Sequence, residues 1–195
     1  MKMLIVTGST RQGRATPRVA KWVENIARAQ SVDHEWVVAD LLSYDLPFFD
    51  EPFSPLGNPH REVHGIVKEW LDLLDSADGY VIVTPEYNHG VPAVLKNAID
   101  YVDRQLQRKP VAIISHGVMG GVRSAEQLAQ VLRSNVGSIP IPETVYISGP
   151  VGDKNLISEE GELMSDSVKG SQIPLENTLR SLLWYTEALK VKREE

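Results

Sequence analysis

Three glycine- and proline-marked segments of this 195-residue chain bring together the residue types that hold an anion beside a rigid backbone. The first is Gly8-Ser9-Thr10-Arg11-Gln12-Gly13-Arg14-Ala15-Thr16-Pro17. Glycine permits tight turning, and Pro17 suits the first turn of a helix with Thr16 as its N-cap. The unpaired amides and dipole of that helix attract phosphate, Ser9, Thr10 and Thr16 offer hydroxyls, and Arg11 supplies a guanidinium fork. A terminal monophosphate fits this set. The segment is neither G-x-G-x-x-G nor G-x-x-x-x-G-K-[ST], so dinucleotide and triphosphate readings lose support. A solvated turn is the plain alternative, and Arg14 and Arg18 also read as ordinary surface charges.

The second segment, Thr84-Pro85-Glu86-Tyr87-Asn88-His89-Gly90-Val91-Pro92, is stiffened by its prolines. Pro85 restrains its own φ and the residue before it, and Pro92 starts the next helix. A backbone presented this way suits the edge of a flat ring, with Pro85, Glu86, Tyr87 and Asn88 as candidates and Tyr87 or His89 against the ring face. Glu86 equally reads as a brace for neighbouring backbone. The third segment, Ser115-His116-Gly117-Val118-Met119-Gly120-Gly121, has three glycines that let the chain approach a ligand closely. Ser115, His116, Gly117, Gly120 and Gly121 are the candidates there. His116 is a binding residue in this reading, not a proton donor. Ser115 lacks the G-x-S-x-G elbow of a serine nucleophile, and His60 and His64 lack the H-E-x-x-H order and a third ligand, so no metal is expected.

The elements that must position these segments are legible as short apolar runs: Met3 to Thr7, Trp36 to Ala39, Tyr80 to Thr84, Val111 to Ser115 and Thr144 to Ile147. Each is brief and rich in β-branched residues, as strands buried on both faces are. Between them, apolar residues three and four apart mark amphipathic helices, as in Val19, Val23 and Ile26, then Val63, Val67, Trp70, Leu71 and Leu74. The same spacing recurs in Ala93 to Val102, from Val122 onward, and from Leu175 to Leu189. Five alternations of strand and helix predict one α/β domain over residues 1–195, a flavodoxin-like three-layer sandwich with a five-stranded parallel sheet in the order 2-1-3-4-5. In such a sheet, ligands bind beyond the carboxyl ends of the strands, where all three segments fall. Residues 43–59, with four prolines, and the polar stretch 148–172 read as irregular; the second suggests a lid, a partner contact or a mobile excursion.

Composition narrows the classes. Apolar residues at 42% and charged residues at 24% are globular values. A formal charge of -6 argues against nucleic acid, whose phosphates need a basic stripe. With no cysteine, disulfides, thiolate metal sites and cysteine nucleophiles are excluded. No stretch reads as a signal peptide or a membrane span, and a cytoplasmic setting is expected.

Gly8-Ser9-x-Arg11 and Pro85-Glu86-Tyr87-Asn88, followed by Leu95-Lys96-Asn97-Ala98, resemble the NADPH-dependent FMN reductase family, and the likeness runs from the first strand through the fourth helix. The Ser and Asn often found later in that family's first loop are Arg14 and Thr16 here. The resemblance implies non-covalent FMN held by the three segments, with backbone amides at 86–88 and 117–121 on the ring's pyrimidine side. It also implies NADPH or NADH as electron donor, a small acceptor such as a flavin, quinone, azo compound or metal oxyanion, and a homodimer or homotetramer. The mechanism expected is ping-pong hydride transfer through flavin N5, with no obligatory protein acid or base. A flavodoxin-type electron carrier and a flavin-responsive regulatory protein are the alternatives, because fold alone separates none of them.

Overall fold

The computed structural model describes residues 1–58, 60–134, 136–149 and 156–195. Five parallel strands, β1 (Lys2–Thr7), β2 (Glu35–Asp40), β3 (Gly79–Pro85), β4 (Pro110–Gly117) and β5 (Ile139–Ser148), form one sheet in the order β2-β1-β3-β4-β5. Successive side chains of the central strands point to opposite faces. Met3, Ile5, Val81, Val83 and Ile114 therefore join one core, and Leu4, Val6, Tyr80, Ile82 and Ile113 the other.

Parallel pairing requires a crossover after each strand, and here the crossovers are helices. α1 (Thr16–Gln30) and the long α6 (Gln172–Glu194) cover the first face. α2 (Gly65–Asp75), α3 (Ala93–Asp100) and α4 (Val122–Arg133) cover the second. A one-turn helix, α5 (Asp166–Lys169), precedes α6. The chain after β1 thus turns to one layer and the chain after β3 to the other, and the crevice between them opens at the carboxyl edge of the sheet.

The elements depart from the sequence expectation in places where local pattern misleads. β5 begins five residues before Thr144, because Pro140 and Pro142 sit on an edge strand, where a missing amide is tolerated; its pairing with β4 shifts register between Val111 and Ile113. α2 starts after Val63 and α3 ends at Asp100. Of the stretch 148–172, residues 150–155 lie outside the described residues, as does Pro59 of the earlier proline-rich stretch. The part that follows is not a free excursion. Ile157 pairs with Leu163, the Asn25 amide donates to the Glu160 carbonyl at 2.7 Å, and a Cβ on Gly161 would lie 2.5 Å from the Trp22 nitrogen, so this segment is packed hard against α1.

The proline-rich stretch 43–58 is pinned to α3 by one side chain. Buried Asn97 accepts from the Phe49 amide and donates to the Pro47 carbonyl, both at 2.8 Å, while the Tyr101 hydroxyl also donates to Pro47 at 3.1 Å. Phe49 consequently turns inward, edge-on to Tyr101, and Phe48 is left 80% exposed. Asn97→Ala leaves the half-buried Phe49 amide without its acceptor and is expected to cost about 1–3 kcal/mol in urea unfolding, with faster amide exchange at Phe49.

Candidate functional site

The first loop leaves β1 at Gly8, whose amide donates to the Val83 carbonyl of β3 at 2.8 Å. A Cβ there would meet the Leu95 side chain at 2.8 Å and the same carbonyl at 3.0 Å, so a side chain at this position would have to displace Leu95 and crowd the β3 backbone. Ser9 is fully buried, with its hydroxyl 2.7 Å from the Tyr87 hydroxyl, and it accepts from the Arg11 amide at 3.4 Å. Arg11 is exposed, with its guanidinium carbon 5.9 Å from the Tyr87 ring centre. The loop closes through Arg14, whose amide donates to the Arg11 carbonyl at 3.2 Å. Its guanidinium grips Asp40 at the end of β2 through two bonds of 2.6 Å and also donates to the Ser9 carbonyl.

Two expectations for this loop are corrected. Thr16 is not an N-cap: α1 begins at Thr16 with Ala15 before it, no side chain caps it, and the buried Thr16 hydroxyl lies 3.1 Å from His116 Nε2. Arg14 and Arg18 are not surface charges. The Arg14 side chain is 10% exposed, and Arg18 is buried, reaching Glu159 at 3.4 Å.

In the second segment Tyr87 and Gly90 exchange both backbone bonds around Asn88 and His89, which have φ of 49° and 64°. Two successive left-handed residues make this the tight turn that matches hairpin twist, and Asn tolerates it better than most residues. The Glu86 amide donates to the His116 carbonyl at 3.1 Å and the Tyr87 amide to Gly90 at 3.2 Å, so these two of the three amides expected to face a ring already have partners. The Glu86 carboxylate accepts from the Arg123 amide at 3.0 Å and lies 3.3 Å from both the Arg123 guanidinium and His89 Nδ1. Burial pushes its pKa up, but these donors outweigh that and hold it below the usual value. In the glycine loop the Ser115 hydroxyl donates to the Gly120 carbonyl, and a Cβ on Gly121 would meet His116 backbone at 2.8 Å. Val118 and Met119 project from the tip, more than two-thirds exposed.

The loops converge on a cavity of about 300 Å³. Arg11, Arg14 and Ala15 wall it at the α1 end, Pro85, Glu86 and Tyr87 along one side, and His116, Gly117 and Val118 along another, with Gly149 from the end of β5. Residues 1–151 match the NADPH-dependent FMN reductase family. The chain belongs to that family. An NAD(P)H-dependent FMN reductase of Schizosaccharomyces pombe is 38% identical over 131 residues, covering 67% of this chain and 64% of that protein. One from Nectria sp. is 32% identical over 99% of both chains, and the quinone reductase of Escherichia coli K12 is 39% identical over 67% of this chain and 70% of its own. Among solved structures, the flavoenzyme NAD(P)H:(acceptor) oxidoreductase FerB of Paracoccus denitrificans superposes with a TM-score of 0.71 at 23% identity, covering 96% and 97%. The fold is therefore flavodoxin-like, and family membership makes the protein an FMN-dependent oxidoreductase that draws on a reduced nicotinamide.

The residues fit FMN. The cavity has an exposed guanidinium and a helix N-terminus at one end and a tyrosine shelf beside it, and the one carboxylate on its wall is neutralised by Arg123. Of the thirteen sequence candidates, Arg11, Arg14, Pro85, Glu86, Tyr87, His116 and Gly117 line this cavity. Ser9, Thr16 and Ser115 lie buried behind it, and Gly120 packs on Tyr146 and Ser148. Asn88, His89 and Gly121 face a neighbouring hollow with Arg123. Sequence reasoning missed Gly13, Ala15, Val118, Gly149 and Asp40; an acidic residue closing β2 was the available signal for the last. Among the described residues, no cluster of His, Asp and Glu is arranged to hold a metal ion, and no helix is long and apolar enough to cross a membrane.

Burial, aided by the Arg18 guanidinium, pushes His116 down to about 4 from its usual 6.5. Between these values the unfolded chain binds a proton that the folded chain refuses, so stability complete above pH 6.5 erodes as pH falls toward 4. His116→Gln, which keeps a polar atom near Thr16, is expected to flatten that decline in denaturant unfolding of the FMN-free protein over this range.

Proposed function

We propose that the cavity holds FMN with its phosphate on the first loop and its ring between Tyr87 and the glycine loop, and that a small planar acceptor is reduced at the exposed ring face. The observation that carries this reading is the meeting of Arg11, Tyr87 and the Gly117–Val118 backbone on one cavity at the parting of the β1 and β3 loops. Bound FMN would take hydride from NADPH or NADH and return the electrons to the acceptor in a second, separate step.

The chain's own part is placement. Arg11 supplies the fork for the phosphate, and the α1 N-terminus adds its dipole. Tyr87, fixed by its turn and by Ser9, sets the plane of the ring, and buried neutral His116 adds no charge beside it. Val118 and Met119 leave that side of the cavity open to solvent, room for a nicotinamide and then an acceptor to lie parallel to the ring. The quinone reductase relative supports a quinone-like acceptor. Exposed Phe48 beside α3, with exposed Phe53 further along the same stretch, favours a homodimer or homotetramer, which light scattering at micromolar concentration tests. The need for reduced nicotinamide favours a cytoplasmic setting, and the charge of -6 favours no nucleic-acid partner.

Anaerobic mixing of the FMN-loaded protein with NADPH or NADH is expected to bleach the flavin well within a minute; flavin that stays oxidised for many minutes, while dithionite reduces it promptly, overturns the enzyme reading in favour of a carrier. Arg11→Ala is expected to weaken FMN by about tenfold or more and riboflavin, which lacks the phosphate, far less in fluorescence titrations.

A further inference from the structure

Arg14 lines the cavity, yet both terminal nitrogens of its guanidinium are already engaged by the protein. Nη1 and Nη2 each bond one oxygen of Asp40 at 2.6 Å, and Nη1 also donates to the Ser9 carbonyl. Asp40 is held from its own side as well: Oδ1 also accepts from the Thr7 hydroxyl at 2.7 Å and the Leu42 amide at 3.0 Å. These bonds tie the ends of β1 and β2 to the turn that Arg14 closes by its amide bond to Arg11. A two-pronged pairing of this kind fixes orientation as well as distance, and a guanidinium keeps its charge whatever its surroundings. Burial raises the Asp40 pKa, but Arg14, Thr7 and the Leu42 amide together hold it below the usual value, so the pair is ionic at neutral pH.

We infer that Arg14 is a positioning residue and not a phosphate ligand: the Arg14–Asp40 pair is a strut that holds residues 9–14 in the shape that admits the FMN phosphate. The inference rests on the first loop being the phosphate site.

A double-mutant cycle on FMN and riboflavin binding separates the strut from a direct ligand. Asp40→Asn preserves size and leaves an oxygen for Thr7 and Leu42, but turns one prong against the guanidinium. Under the strut, Asp40→Asn and Arg14→Ala each weaken FMN about tenfold, change riboflavin less than about threefold, and together do no more than the worse of the two. Amide exchange at residues 9–11 also accelerates in Asp40→Asn. If Arg14 binds the phosphate itself, Asp40→Asn frees it, and FMN affinity holds or rises while Arg14→Ala loses it; that result, or losses that multiply in the double variant, overturns the strut. Should Arg14→Ala fail to fold, Arg14→Gln takes its place in the cycle. Arg11→Ala distinguishes the two levels: FMN lost there but kept in Asp40→Asn overturns the strut alone, and FMN kept in both overturns the phosphate site along with it.

Discussion

Everything at the carboxyl edge follows from the contact between Gly8 and β3. The Gly8 amide closes on Val83, with Leu95 of α3 packed where a side chain would stand. That approach lets β1 and β3 lie side by side although their following helices leave for opposite layers. A larger residue would have to displace the Leu95 side chain from its place beside Gly8 and press on the Val83 carbonyl, loosening the packing beneath the crevice. The glycine loop is built on a related constraint. Gly121, in the left-handed region and with no room for a Cβ, folds α4's N-terminus back over His116 so that Val118 and Met119 form a rim.

The charges around the crevice are arranged so that few of them are left to act. Arg14 is neutralised by Asp40, Glu86 by Arg123, Arg18 lies buried near Glu159, and His116 is held neutral by burial. Arg11 is the exposed cation of the first loop. An overall charge of -6 would otherwise oppose an anionic ligand, and concentrating positive potential at one helix N-terminus overcomes that locally, because charges beyond about 10 Å are screened by salt while groups in the loop are not.

How much of this was legible in the sequence depended on range. The central strands announce themselves, since burial on both faces demands continuous apolar runs, and the alternation with helices fixes the sheet order. The three loops were found because glycine and proline declare local backbone needs. What stayed hidden are pairings between distant residues. Arg14 meets Asp40 across 26 positions, Thr16 meets His116 across 100, and Asn97 reaches Pro47 across 50. Each side chain has an innocent local reading: surface charge, helix cap, polar helix residue. The Thr16 reading failed for that reason, because a hydroxyl at a helix start has a strong local preference that a buried imidazole overrode. β5 extends beyond its apolar run because Pro140 and Pro142 are tolerated in an edge strand, and edge position is a property of the whole sheet.

Tyr87 shows why such distant pairings matter for chemistry. Its backbone is held by a turn whose two central residues, Asn88 and His89, both take the left-handed conformation that costs a non-glycine residue about 1 kcal/mol or more. The turn persists because its two backbone bonds are backed from α4, where Gln127 accepts from the Val91 amide at 2.8 Å. Its hydroxyl is held by Ser9, from the other side of the crevice. One ring is therefore fixed from two loops that leave the sheet for opposite layers, and neither loop can shift without moving it. Hydride transfer is sensitive to distances of well under an ångström, and a shelf already rigid before ligand arrives avoids the entropy that a loose one would lose at the moment of reaction. The strained turn is stability given up locally so that the ring beside it has one position.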